Sequence, residues 1–125
     1  CPPNLTLTPG ASELSIEDMI RDVKRGIAVF AGRGDIDHQC LNGGGQGAML
    51  EIKDGKLGQP IKGGLYLYRT PDFWQQVIAL GGPSSQVKIG MSRVRSRIST
   101  LEAHTVTAVP MTVRNVRVSD VSRSV

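Results

Sequence analysis

Leu5 and Leu7 alternate with polar neighbours in "NLTLTPG", and the run stops at Pro9-Gly10, the pattern of a short half-buried strand closed by a turn. The period then changes. Ile16, Met19, Ile20 and Val23 recur at helical spacing, Ser15 and Asp18 form a capping-box-like start, and Gly26 follows Lys24 and Arg25 as a stop. "IAVFA" (27–31) is a β-branched and aromatic run of strand length that leads at once into a glycine-rich loop. "AMLEI" and the segment from Leu57 flank Lys53-Asp54-Gly55-Lys56, and Asp-Gly tolerates the positive φ angles of a type I′ hairpin turn. "GLYLY" (64–68) reads as a further strand.

Thr70-Pro71-Asp72 predicts a second helix, with Thr70 as the capping hydroxyl and Pro71 at the first helical position. Phe73, Trp74, Val77 and Ile78 form its buried face, and Gly81-Gly82-Pro83 ends it. Residues 86–98 and 104–118 alternate in strand fashion. In the second of these the apolar phase shifts near Asn115, which predicts a bulge. The succession of these strands and helices predicts an α+β fold, mainly antiparallel β-sheet with two helices.

Length and composition refine this picture. The 125 residues, 39% apolar and 21% charged, fit a single globular domain over 1–125. No run approaches the ~20 apolar residues of a membrane-spanning helix, and no signal-peptide layout is present. Cys1 and Cys40 are too few for a disulfide framework, so a reducing cytoplasm is the expected location. The chain opens with Cys-Pro-Pro instead of Met, and the expectation is that it is part of a longer polypeptide. A net charge of +4 admits a polyanionic partner but also suits an ordinary solvated surface.

The densest chemistry lies in "GRGDIDHQCLNGGGQGAML" (32–50). Gly43 to Ala48 formally spells G-x-G-x-x-A, yet it leads into a strand, whereas the dinucleotide fingerprint must open a helix to hold a pyrophosphate. Asp35, Asp37, His38 and Cys40 are metal-ligand types at a spacing that fits no standard zinc site. Arg93, Arg95 and Arg97 would project from one strand face as a phosphate-binding stripe. The chain has few aromatic residues to act as base-stacking platforms, so a solvated or interface strand is the first expectation, and a basic binding module for nucleic acid or an acidic protein is an alternative reading. No G-x-S-x-G, H-E-x-x-H or P-loop is present.

From about residue 4 to 85 the sequence resembles the C-terminal region of the TldD/PmbA family, the modulators of DNA gyrase. The likeness rests on the order of a strand ending in Pro-Gly, "EDMIRDVKRGIAV", "GGGQGAMLEIKDGK", "QPIKGG" and a helix ending in Gly-Gly. The resemblance implies a cytoplasmic zinc metalloprotease system acting on small or unfolded peptides as a homo- or hetero-dimer. The zinc motif H-E-x-x-x-H would lie in an upstream domain of the parent chain. It implies that this chain supplies scaffold, dimer contact and part of the substrate cavity, with no catalytic or metal ligand of its own. Catalytic members carry a further Cys ligand after the second helix, and residues 84–103 contain none, so a non-catalytic partner subunit is the alternative. Asp35, Asp37, His38, Asn42 and Gln46 are the expected cavity-lining groups. For the glycine-rich stretch a cavity wall and a purely structural turn are both open readings.

Overall fold

A computed structural model describes residues 4–95 and 100–120. It is mainly antiparallel β-sheet with two short helices, as the sequence pattern predicts. The chain divides into two compact units, one made of residues 1–16 and 80–111, the other of 17–79 and 112–125.

The larger unit is built on two long strands, β1 and its successors being numbered along the chain. After β1 (Asn4–Thr6) and α1 (Ile16–Arg21), β2 (Arg25–Ile36) and β3 (Asn42–Lys53) pair antiparallel along their length. The segment 32–47, expected as a loop, is therefore mostly strand. The true turn is confined to residues 37–41. Helix α1 ends at Arg21, short of Gly26, because β2 claims the chain from Arg25 and pairs it with Lys53. A β-bulge between Phe30 and Gly32, with Ala31 at φ 42°, lets the pairing continue past the end of the apolar run.

On its other side β3 is covered by β4 (Lys56–Ile61) and β5 (Gly64–Arg69), both antiparallel to it, with Lys62-Gly63 between them. Asp54 and Gly55, at φ 48° and 74°, make the tight turn that the Asp-Gly pair predicts. Strand β10 (Arg117–Asp120) adds to β5, so the order is β10-β5-β3-β2 with β4 beside β3. Met19, Met49 and Ile52 are the buried apolar residues of this unit.

Helix α2 covers only Thr70–Gln75. Its N-cap is Arg69, with no side-chain cap; Thr70 is already helical and its hydroxyl donates to the Cys40 carbonyl at 2.8 Å. Val77 to Leu80 form a strand, β6, so the predicted four-residue apolar helix face does not exist, and Trp74 and Ile78 stand about half exposed. The physical reason is twofold: Val77 and Ile78 are β-branched, and they follow a carbonyl, that of Gln76, which the distant Arg114 N–H takes at 3.0 Å. The expected 104–118 strand is likewise broken. It becomes β8 (Thr100–Ala108), β9 (Met111–Val113) and β10, and Asn115 at φ 56° makes a turn where a bulge was expected.

The smaller unit is a three-stranded sheet in which β8 lies between β1, parallel to it, and β7 (Val87–Arg95), antiparallel. Gly81 and Gly82 are buried in it and do not end a helix. The Gly81 N–H donates to the Pro110 carbonyl and its own carbonyl accepts from Gly10, while a Cβ on Gly82 would lie 2.6 Å from the Glu13 Cα. Register places Leu5, Val106 and Ile89 side by side, with Val87 and Ala108 on the same face. Leu5, Val87 and Ile89 are each 56% exposed. The opposite face carries Asn4, Lys88, Thr105 and Thr107, so this sheet has one polar face and one apolar face open to water. Arg97 lies outside the described residues, as do the side chains of Arg93 and Arg95, and the arginine stripe is not described.

Candidate functional site

Two glycines of β3, Gly43 and Gly45, lie beneath tyrosines of β5. Gly43 pairs with Tyr68 and Gly45 with Tyr66, and the two rings lie over the bare backbone. A Cβ on Gly43 would sit 2.5 Å from the Tyr68 ring; one on Gly45 would strike the Tyr66 hydroxyl and approach the Arg33 carbonyl to 2.6 Å. Tyr66 and Tyr68 run nearly parallel, centroids 6.3 Å apart, and Tyr68 meets Phe73 of α2 at 4.8 Å. Phe73 in turn contacts Trp74 edge-on at 5.7 Å. An aromatic row thus runs from the sheet to α2.

The turn that begins β3 is held by Asp37. Its carboxylate accepts from the Leu41 N–H at 2.7 Å and from the Asn42 backbone and side-chain nitrogens at 3.1 and 2.8 Å. Those bonds, the one from Leu41 first and that from the Asn42 amide next, hold the carboxyl below the ordinary carboxylate range. Cys40, free and exposed, takes a positive φ of 57° in this turn. A depressed folded pKa means the turn gains stability above the unfolded carboxyl's pKa of about 3.9 and loses it as pH falls through the folded value. Asp37→Asn is therefore expected to flatten the acid side of the stability profile. Urea midpoints at pH 7 and pH 3 check this, and an unchanged difference between the two would count against the assignment.

Beside the turn lies a cleft of about 410 Å³. Asn42, Gly43, Tyr68 and Phe73 line it together with the exposed Arg69, Arg114 and Arg117, and Asp72 is the only carboxylate among the lining residues. Arg69 and Asp72 approach to 3.7 Å, both largely exposed, a contact that contributes little. Burial, and secondarily Tyr66, pushes the Tyr68 hydroxyl up, so it remains a neutral donor. The Gln76 Oε1 is buried and accepts no hydrogen bond.

Of the five residues expected to line a cavity, Asn42 alone lines this cleft, and Asp37 acts on it by fixing Asn42. Asp35 is exposed on β2 and accepts from the Ile36 N–H at 2.9 Å; His38 is exposed in the turn; Gln46 is exposed on β3, opposite Arg33. The arginines and Gln76 went unnoticed in the sequence because Arg69, Gln76 and Arg114 are far apart along the chain. The one sequence signal was the phase shift at Asn115, which marks the turn that carries Arg114 and Arg117.

Among the described residues no group of three or more His, Cys, Asp or Glu side chains could hold a metal ion. Both Asp37 oxygens are taken by the turn, so this carboxylate is spent on structure. The residues described here do not fit a zinc site. No described helix is long and apolar enough to cross a membrane. No protein-family model matches the sequence, and a search among curated proteins finds no match.

Proposed function

We propose that this chain is the C-terminal domain of a TldD/PmbA-like peptidase system that processes small or unfolded peptides in the cytoplasm, and that it works there as scaffold, dimer contact and cavity wall. The observation that carries the reading is the open apolar face of Leu5, Val87 and Ile89 on the smaller sheet. Apolar sheet faces are covered in finished assemblies. The core supports the same reading, since Met19, Met49, Ile52 and Val109 are the only buried hydrophobic side chains among the described residues. So thin a core is characteristic of a domain completed by its neighbours. Zinc, in this reading, is held by the upstream domain or by the partner subunit, and the chain's own residues hold and orient peptide.

The test is biochemical. The assembly purified through a tag on this chain is expected to cut a disordered peptide, to stop on addition of a chelator, and to recover with zinc. An intact peptide after prolonged incubation overturns the peptidase reading.

A further inference from the structure

We propose that the arginine-lined cleft of the larger unit binds the carboxy-terminal residue of an extended peptide, an inference that rests on the peptide-handling role above. Three features of the cleft select that chemistry. Arg69, Arg114 and Arg117 line it with Asp72 as the one opposing charge, and the positive excess favours an anion. Guanidinium groups match a carboxylate in planar, paired hydrogen bonds. Gln76 also lines the cleft, and its buried Oε1, which accepts no hydrogen bond, gains a donor if the side chain turns toward a ligand that carries one; a buried acceptor left bare is costly. An inorganic anion such as phosphate brings no side chain for the aromatic wall. A terminal peptide residue brings both, its carboxylate and its own amide N–H two bonds away.

The third feature is the wall. Tyr68 and Phe73, with ring centroids 4.8 Å apart, give the terminal side chain an aromatic surface. A volume of about 410 Å³ accepts one or two residues and no more. The turn that supplies Arg114 and Arg117 is pinned by Asn115 at φ 56°, and α2 receives it through the Arg114 N–H to Gln76 carbonyl bond at 3.0 Å. The backbones that carry Arg114 and Gln76 are thus joined before any ligand arrives.

Trp74 is the chain's single tryptophan and touches Phe73, so its fluorescence reports on the cleft. The full 125-residue chain is titrated with N-acetyl-Ala-Ala-Phe bearing a free carboxylate, with the same peptide amidated, with free phenylalanine, and with inorganic phosphate. The acid is expected to bind about tenfold or more tightly than the amide, the factor that one charge-assisted hydrogen bond supplies. Arg114→Gln and Arg117→Gln, both at exposed positions, are expected to erase that preference while circular dichroism stays unchanged. Equal binding of acid and amide, displacement of the peptide by phosphate or phenylalanine at equal concentration, or no binding of any probe overturns the proposal. Preference for the acid in a chain whose assembly cuts nothing would keep the cleft and remove the peptidase reading; cleavage with equal binding of acid and amide would do the reverse.

Discussion

Gly45→Ala is expected to lower the unfolding free energy by about 1–3 kcal/mol, a large effect for a single methyl group, because it overpacks a site with no room. Gly45 is buried and paired on both sides, with Gly34 across one edge and Tyr66 across the other. The added carbon meets the Tyr66 ring and also the Arg33 carbonyl, 2.6 Å away, and a strand backbone held by pairing does not withdraw as a side chain can. Gly43→Ala is expected to cost less, since the three nearest atoms to its new carbon all belong to the Tyr68 side chain. Gly90 is the control. It lies in β7 with nothing within 4 Å of its would-be Cβ, so Gly90→Ala is expected to be neutral or to stabilise by roughly 0.5–1 kcal/mol through reduced chain entropy. Urea melts of the three variants rank them, and a Gly45→Ala protein as stable as its parent would show that the tyrosines do not need these glycines.

The second large effect concerns assembly. The chain is expected to self-associate at high concentration through the Leu5, Val87 and Ile89 face, and Ile89→Lys is expected to make it monomeric. Water already reaches more than half of the Ile89 surface. A lysine there leaves no buried charge in the monomer, and its stability should change by no more than about 0.5 kcal/mol. In an associated form the same ammonium would be desolvated against apolar neighbours, which is strongly unfavourable. Association and stability thus separate in one variant. Sedimentation velocity over a wide concentration range reads the first and a urea melt the second; a parent chain that stays monomeric, or an Ile89→Lys chain that associates as the parent does, removes the apolar face as a contact.

Local chemistry carries much of the fold. Asp54-Gly55 makes its turn because those two residues bear positive φ at low cost, and the alternation of "GLYLY" and of residues 86–95 reads as strand because side chains on a pleat alternate by geometry. The fold class follows from such signals, which need no knowledge of distant residues. A run of glycines sends no such signal. Residues 32–36 and 42–47 have few side chains to alternate, so whether they are loop or strand is settled by partners, Tyr66 and Tyr68 for one edge of β3 and β2 for the other. The same holds for Val77 to Leu80, whose apolar spacing suits a helix until the chain around Gln76 engages Arg114.

The candidate site divides along the same line. Asp37 and Asn42 are five residues apart, and their bond belongs to a local turn. The cleft joins Asn42, Arg69, Gln76 and Arg114, and their meeting depends on β5 crossing β3 and on a strand order that places β10 against β5. Spacing along a chain encodes only what neighbours within a few residues can do for one another. Charges gathered from separate strands become a binding surface only after the sheet's register is set, and in β3 and β5 that register lays the Tyr66 and Tyr68 rings on Gly45 and Gly43.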